Sequence, residues 1–344
     1  MGRRTVVLGG YGAVGREVVR LLANADRQVL VAGRDESRAS AVATSFAGAA
    51  PASVDVSRPD SLHNVVARDD LVINCTGLEN VALARSAVEA EAHYVDISAS
   101  QDYLAALAAL DQTAIAHGRT ILCSVGLAPG LTNLLAADLH RRYPGVQPID
   151  VTCLLGLGDE YGDASRAWTL ARIGTTFPDP VDGRPVGNFS DGRRVLLPAG
   201  FGRRRAYRFD LADQHILTCD LQRPVVTRLC FDPAIVTRFV AAASRLPALA
   251  GPIAQVVRRL PATRVGTAWF AARVELRGGP MHWAIGSSQS QGTAAVAAFA
   301  ARLFDIGEPE PGFHHLHNLT TLAEAHGSLH DADVHATTRP LGGV

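Results

Sequence analysis

The chain has 344 residues, of which 47% are hydrophobic and 19% are charged, a composition that excludes a disordered or low-complexity protein. Its 33 basic residues, all of them arginines, are matched by 33 acidic residues, so no basic excess indicates a nucleic-acid partner. No apolar run reaches the roughly 20 residues that a membrane span requires.

The first 140 residues alternate short apolar runs with helical patterns. Six of these runs are predicted as strands, at residues 5–8, 29–32, 52–56, 70–75, 93–97 and 120–125. Continuous apolar strands that alternate with helices are typical of a parallel sheet covered on both faces. The pattern therefore predicts an α/β fold with a doubly wound, dinucleotide-binding Rossmann sheet.

The length and polarity of the predicted strands change after about residue 148. Longer strands of mixed polarity are predicted at residues 150–157, 206–211, 225–231 and 264–276. Strands in succession indicate a second, α+β domain on a mostly antiparallel sheet. We expect a Rossmann domain at residues 1–148, a substrate and dimerisation domain at 149–288, and a C-terminal segment at 289–344 that returns to the Rossmann domain. A homodimer is the expected assembly.

A glycine-rich turn follows the first predicted strand and opens a helix, in the pattern GxGxxG. In this fingerprint the first glycine makes the turn, the second lets the backbone approach a pyrophosphate, and the third permits close helix–strand packing. Amides at the helix N-terminus then face the phosphates. The predicted cofactor-binding residues of this turn are Gly10, Tyr11, Gly12, Ala13, Val14 and Gly15.

The end of the second predicted strand distinguishes between the two nicotinamide dinucleotides. Chains that bind NAD carry an acidic residue about 20 residues after the glycines, where it holds the ribose hydroxyls. Here Arg34 occupies or adjoins that position, and a guanidinium suits a 2′-phosphate. The sequence therefore predicts NADP(H). The alternative is that Asp35 binds the ribose and Arg34 is a solvated charge.

Three further strand ends supply candidate cofactor contacts. Asp55 is predicted to meet the adenine amino group, and the alternative is a cap for the helix near Pro59. Thr76 and Gly77 are predicted to line the ribose on the nicotinamide side. Ser98 follows the fifth strand, at the edge where open α/β sheets bind ligands.

Several stretches of the chain resemble the saccharopine dehydrogenase-like family of NADP-dependent reductases. They are VLGGYGAVG at residues 7–15, AGR at 32–34, VINCTG at 72–77, YVDIS at 94–98 and GLAPGLTN at 126–133. The resemblance implies a Rossmann fold, NADP(H) as cofactor, and reduction of an imine formed from a carbonyl and an amine. The absence of lysine excludes a lysine general acid or Schiff base.

Candidate catalytic and substrate-binding residues come from both predicted domains. Asp96, at the end of the fifth strand, is expected to stabilise an iminium, or else to be a structural carboxylate. Tyr161 is the candidate tyrosine proton donor and His215 the candidate histidine. Asn133 is expected to orient the nicotinamide amide or the substrate, or to be a turn residue.

Trp168 and His282 complete the predicted substrate site. Trp168 is expected to form a wall of this site, with core packing as the alternative. His282 is a second histidine candidate, and for it and for His215 the alternative is a hydrogen-bonded structural residue. The histidines at positions 314, 315 and 317 lie beside no acidic or cysteine cluster, so no metal site is predicted.

Cysteine usage and the first residues indicate a reducing compartment. The five cysteines are scattered and include no CxxC pair, which argues against a disulfide framework. Residues 1–10 resemble a strand and a turn rather than a signal peptide. We expect a cytoplasmic protein with a small-molecule substrate and neither nucleic acid nor membrane as partner.

The sequence therefore predicts an NADP(H)-dependent reductase that acts on the C=N bond of a small amine- or amino-acid-derived substrate. Two alternatives stay open at this stage. One is a C=C or carbonyl reductase of a specialised metabolite. The other is a non-catalytic NADPH-binding regulator, which would keep the glycines and Arg34 without a reactive pocket.

Overall fold

The computed structural model describes residues 3–160, 163–198, 200–246 and 265–337. The strands are β1 Thr5–Leu8, β2 Val29–Gly33, β3 Ala49–Ser53, β4 Leu71–Asn74, β5 His93–Asp96, β6 Thr120–Cys123, β7 Ile149–Gly156, β8 Thr176–Pro178, β9 Pro185–Gly187, β10 Arg193–Leu197, β11 Gly202–Arg208, β12 Val225–Asp232, β13 Phe270–Leu276, β14 Met281–Gly286, β15 Gly312–His315 and β16 Val334–Thr337.

The helices alternate with these strands in the first part of the chain and are more scattered afterwards. They are α1 Ala13–Ala23, α2 Glu36–Ala43, α3 Val81–Glu89, α4 Gln101–Ala108, α5 Asp111–Ala116, α6 Leu131–Arg142, α7 Asp163–Ala171, α8 Ala212–Asp220, α9 Ala234–Ala243, α10 Gln289–Ile306, α11 Leu316–Leu319 and α12 Leu322–Asp331, with a 3-10 helix at Pro59–Asn64. None of these helices has the length and apolar character needed to cross a membrane.

The chain divides into two compact units at positions that differ from the predicted boundaries. The first unit comprises Met1–Gly130 and Thr293–Thr320, and the second comprises Leu131–Gly292 and Thr321–Val344. Helix α6 belongs to the second unit because it packs against β13 and β14. The chain after Thr320 also belongs there, because β16 pairs with β14. Only part of the predicted C-terminal segment therefore returns to the first unit.

The first unit is built on a seven-stranded sheet in the order β15-β6-β5-β4-β1-β2-β3. Every neighbouring pair in it is parallel. Strands β1, β4, β5 and β6 are buried at each position, as expected where helices cover both faces of a sheet. The predicted parallel Rossmann sheet is confirmed, with β3 lying three residues earlier than predicted and β15 added at the edge.

The second unit contains a seven-stranded mixed sheet in the order β10-β11-β12-β7-β13-β14-β16. The β12–β7 pair is parallel, and the other neighbouring pairs are antiparallel. Helices α6 and α8 pack against strands of this sheet. The predicted mostly antiparallel sheet is confirmed, although β10, β14 and β16 were not among the predicted strands.

Candidate functional site

The turn between β1 and α1 leaves little or no space for a side chain at its glycine positions. Gly9 has a φ of +73°, a conformation that favours glycine, and its carbonyl oxygen accepts a hydrogen bond of 2.8 Å from the Gly12 amide. A Cβ atom on Gly15 would lie 2.2 Å from that same carbonyl oxygen. A Cβ atom on Gly10 would lie 2.9 Å from Val31 Cγ1. The three glycines of the predicted fingerprint are therefore placed as the dinucleotide-binding turn requires.

The N-terminus of α1 is open to an anion. Gly12 occupies the N-cap position without a side-chain cap, and the first turn, which begins with Ala13 and Val14, contains no acidic residue. The first amides of a helix have no partner within the helix, and the helix dipole favours negative charge at this end. A diphosphate would satisfy these amides without competition from a side chain.

Tyr11 packs against the end of β2. A Cβ atom on Gly33 would lie 2.4 Å from the Tyr11 ring, so this glycine makes room for the tyrosine. The Arg38 guanidinium lies 4.6 Å from the centre of the ring, and the Tyr11 hydroxyl accepts a hydrogen bond of 3.3 Å from the Asp35 amide. The Tyr11 side chain thus joins the glycine turn to the start of α2.

The structure distinguishes the roles of Arg34 and Asp35. Asp35 is the N-cap of α2, and its Oδ1 accepts a hydrogen bond of 3.0 Å from the Arg38 amide. Arg34, by contrast, makes no hydrogen bond or ion pair with any residue that the structure describes, and its side chain is exposed. A capping carboxylate is already engaged, whereas a free guanidinium is available to a phosphate. The geometry favours the predicted 2′-phosphate contact over the Asp35 alternative.

Arg34 lines a polar cleft of about 360 Å³ in the first unit. The other lining residues are Ser53, Asp55, Arg58, Ser61 and Asn64. The Asp55 carboxylate accepts hydrogen bonds from the Ser57 hydroxyl at 2.6 Å and the Ser57 amide at 3.1 Å. These bonds, together with the neighbouring Arg58, hold the pKa of Asp55 below its usual value. Asp55 therefore fixes the turn before the 3-10 helix and also borders the cleft.

Thr76 and Gly77 form the turn after β4, beside the glycine turn. Asn74 Oδ1 accepts hydrogen bonds from the Thr76 amide at 3.2 Å and from its hydroxyl at 2.6 Å. Gly77 has a φ of +68°, and Thr76 Cγ2 would lie 3.1 Å from a Cβ atom on Gly9. The predicted pair thus borders the same sheet edge as the glycine turn.

Asp96 lies inside the first unit with 1% of its surface exposed. Its Oδ2 accepts hydrogen bonds from Asn74 Nδ2 at 2.9 Å, from the Tyr94 hydroxyl at 2.9 Å and from the Tyr103 hydroxyl at 3.1 Å. Its Oδ1 accepts a hydrogen bond of 2.8 Å from the Ser98 amide. Burial raises the pKa of Asp96, and these hydrogen bonds oppose the rise.

This burial corrects the predicted role of Asp96. A carboxylate that is enclosed and already accepts four hydrogen bonds is not placed to contact an iminium directly, so the alternative of a structural carboxylate fits the geometry. Through Asn74 it fixes the turn that carries Thr76, and through the Ser98 amide it fixes the turn after β5. Sequence reasoning missed Tyr94, although its position two residues before Asp96 places both on one face of the strand.

Two candidates of the second unit, His215 and Trp168, are half-buried. His215 Nε2 lies 2.8 Å from Asp210 Oδ1. The half-buried Trp168 makes an edge contact with Phe209, with ring centres 5.8 Å apart, and Arg172 lies 3.5 Å above its ring. These contacts favour the core-packing alternative for Trp168.

Asn133 and His282 lie inside the second unit, and Tyr161 lies outside the described residues. Asn133 is fully buried near the start of α6. His282 Nδ1 lies 3.4 Å from Asp138 Oδ2, and burial lowers the pKa of His282. Asn133 thus lies within a helix, so the alternative of a turn residue is wrong, whereas the buried His282 beside Asp138 fits the alternative of a structural histidine.

Asp213, two residues before His215 in α8, is completely buried and accepts a hydrogen bond of 2.8 Å from the Thr227 hydroxyl. Across the described ranges, no group of three or more histidine, cysteine or acidic side chains is arranged to hold a metal ion. His315 Nδ1 lies 2.9 Å from the Ser124 hydroxyl, and His314 Nε2 lies 2.9 Å from the Glu310 carbonyl. The histidines near residue 315 thus have structural partners.

The part of the chain that contains the glycine turn and the cleft matches a known protein family. Residues 5–122 match the family described as saccharopine dehydrogenase NADP binding domain. The predicted resemblance and the prediction of NADP(H) are confirmed by this match. The matched stretch contains the glycine turn, Arg34, Asp55, Thr76 and Asp96.

Two individual relatives carry the name saccharopine dehydrogenase. The NADP(+)-dependent, L-glutamate-forming enzyme of Pyricularia oryzae is 30% identical over 138 residues, which cover 40% of this chain and 30% of that protein. The chain thus matches less than a third of that relative's length. The apo, histidine-tagged, L-Glu-forming enzyme of Saccharomyces cerevisiae has a TM-score of 0.68 at 16% identity, with 98% of this chain and 100% of that chain covered. At this identity the second match shows a shared fold.

Proposed function

We propose that this chain, whose first unit carries a saccharopine dehydrogenase NADP binding domain, is an NADP(H)-dependent oxidoreductase that reduces the C=N bond of a small amine- or amino-acid-derived substrate. The observation that carries the cofactor part of the proposal is a glycine turn with no space for side chains at Gly10 and Gly15, together with an unpaired Arg34 after the next strand. The turn suits a diphosphate, and the guanidinium suits a further phosphate.

The residues of the first unit fit NADP(H) at each part of the molecule. The amides at the start of α1 would hold the diphosphate, Arg34 the 2′-phosphate, and Asp55 the adenine side. Thr76, Gly77 and Ser98 would border the nicotinamide ribose, in a region that the buried Asp96 keeps in place. The bound cofactor supplies the hydride, so the chain itself has to bind, orient and manage one proton.

The proposed imine chemistry places modest demands on the protein. An iminium is already protonated when hydride arrives, so the chain needs to hold the substrate and neutralise charge rather than donate a proton to carbon. The absence of lysine leaves His215, which lies against Asp210, and Tyr161 as candidate proton-handling residues. Support for an imine comes from the family resemblance, since saccharopine dehydrogenase is the name of both reported relatives.

The test has two steps on the full chain. Calorimetric titration with NADPH and NADH comes first, and tighter binding of NADPH is expected. Nicotinamide absorbance is then followed with NADPH and pairs of carbonyl compounds and amines that form imines. Turnover of enones or ketones alone would favour the C=C or carbonyl reductase, and binding without any turnover would favour the regulator. Absence of binding to either nucleotide would refute the proposal. A homodimer and a cytoplasmic location stay predictions, and sedimentation velocity tests the first.

A further inference from the structure

A second arginine lies on the same cleft as Arg34. Arg34 follows β2 and Arg58 follows β3, and these strands are neighbours in the parallel sheet. Because parallel strands end at the same edge, the two side chains border one cleft of about 360 Å³. The Arg58 side chain is 78% exposed. The cleft therefore presents two guanidinium groups from two different turns.

The contacts of Arg58 leave its terminal nitrogens available. Its Nε donates a hydrogen bond of 3.1 Å to Asp55 Oδ2, and within the described part of the chain Nη1 and Nη2 donate none. A guanidinium held through Nε still presents its outer nitrogens, which match two oxygens of a phosphate. Asp55 is in turn held by Ser57. The carboxylate thus orients Arg58 without occupying its binding edge.

The charge of the cleft also favours an anion. Two guanidinium groups and one carboxylate line it, and the remaining lining residues, Ser53, Ser61 and Asn64, are neutral. At the opposite edge of the same sheet, carboxylates engage the terminal nitrogens of the arginines: Arg4 Nη2 lies 2.5 Å from Asp70 Oδ2, and Arg119 Nη1 lies 2.6 Å from Asp69 Oδ1. Within the first unit, the two arginines at the carboxyl edge thus differ from Arg4 and Arg119 in that no carboxylate that the structure describes engages their terminal nitrogens.

We propose that Arg58 is a second ligand of the cofactor's 2′-phosphate, that it closes on this phosphate together with Arg34, and that Asp55 is its positioning residue. Arg58 would then be a determinant of the preference for NADP(H) over NAD(H). This inference rests on the proposed function. It assigns Asp55 to the support of Arg58 in addition to its predicted place near the adenine.

Arg58→Ala in the full chain provides the test, with dissociation constants measured by calorimetry for NADPH and NADH. We expect NADPH to bind roughly tenfold more weakly. This loss lies at the lower end of the range for a charge-assisted hydrogen bond because the Arg58 side chain is largely exposed. NADH should change by less than about twofold, since it lacks the 2′-phosphate. The same contrast is expected between 2′,5′-ADP and 5′-AMP.

Arg68→Ala is the matched control. Arg68 is 70% exposed and pairs with Glu91, so its removal changes the net charge equally without touching the cleft. Both nucleotides should bind this variant as they bind the unaltered chain. The double variant Arg34→Ala/Arg58→Ala should lose less NADPH affinity than the product of the single losses if both side chains hold one phosphate.

The outcomes separate this inference from the proposed function. Equal weakening of NADPH and NADH by Arg58→Ala, or no weakening of either, overturns the assignment of Arg58 while the unaltered chain still binds NADPH. Independent, multiplicative losses in the double variant also overturn a shared phosphate. Failure of the unaltered chain to bind either nucleotide overturns the proposed function itself.

Discussion

Gly15→Ala tests the cofactor turn most directly. The added Cβ would lie 2.2 Å from the Gly9 carbonyl oxygen, 2.8 Å from its carbon and 2.9 Å from Gly10 Cα. All three are backbone atoms, so no flexible side chain can move aside, and the turn or the helix must shift by about 1 Å. Overpacking of this kind costs about 1–3 kcal/mol. The strained turn has to return to its present geometry to bind a nucleotide, and about 1.4 kcal/mol corresponds to a tenfold change in Kd. We therefore expect NADPH and NADH to bind about 5- to 140-fold more weakly.

The assay combines thermal unfolding with calorimetric titration of both nucleotides, and two further glycines provide a graded comparison. A Cβ atom on Gly12 would lie 3.2 Å from the Gly9 carbonyl oxygen, whereas one on Gly307 would meet no atom within 4 Å. Gly12→Ala should therefore weaken binding less than Gly15→Ala does, and Gly307→Ala should bind both nucleotides normally. A Gly15→Ala protein that binds NADPH as tightly as the Gly307→Ala protein would refute the reasoning.

Three further predictions concern charge, pH and helix stability. Arg34→Asp should weaken NADPH roughly tenfold or more and leave NADH nearly unchanged by calorimetry, whereas equal changes would contradict the 2′-phosphate assignment. Burial lowers the pKa of His93 from 6.5 to about 4, so the folded state favours the neutral ring. The contribution of His93 to the free energy of unfolding is therefore fully present above pH 6.5 and is lost as the pH falls towards 4. Urea unfolding across this range should show the loss, and a slope as steep in His93→Gln as in the unaltered chain would contradict it. Gly327 lies exposed within α12 with open space around a Cβ atom, so Gly327→Ala should raise the free energy of unfolding by about 0.5–1 kcal/mol, and a lower urea midpoint would count against this.

The parallel sheet was predictable where the strands are continuously apolar, as in β1 and β4. Strand β3 was placed three residues late because Val54 and Val56 have the side chains typical of strands. The register is set by pairing, since Val29 lies opposite Ala49, and Val54 is buried just beyond the strand. Strand β15 was missed because it pairs with β6 across about 190 residues of chain, and a local pattern carries no information about such a partner.

The candidate site was likewise predictable where it depends on residues close together in the chain. The glycine turn is local, so its spacing and its position between the first predicted strand and the first helix locate it. The environment of Asp96 depends on Asn74 and Tyr103, which come from two other elements. The sequence places Asp96 at the ligand-binding edge of the sheet, yet whether its carboxylate faces inward or outward depends on those partners. Arg58 lies in an irregular turn, and its proximity to Arg34 follows only from the pairing of β2 with β3.

The distribution of arginines within the first unit connects stability to function. At the amino edge of the sheet, Arg4 and Arg119 are paired with aspartates, and Arg27 is paired with Asp305. A paired guanidinium has little capacity left for a further anion. At the carboxyl edge, Arg34 has no such partner among the described residues, and Arg58 keeps its outer nitrogens free. A chain without lysine thus uses one cation type for two purposes, and whether a carboxylate engages the terminal nitrogens of each arginine decides which. This contrast, and not the number of arginines, is the basis on which we propose that a phosphorylated ligand binds at the carboxyl edge.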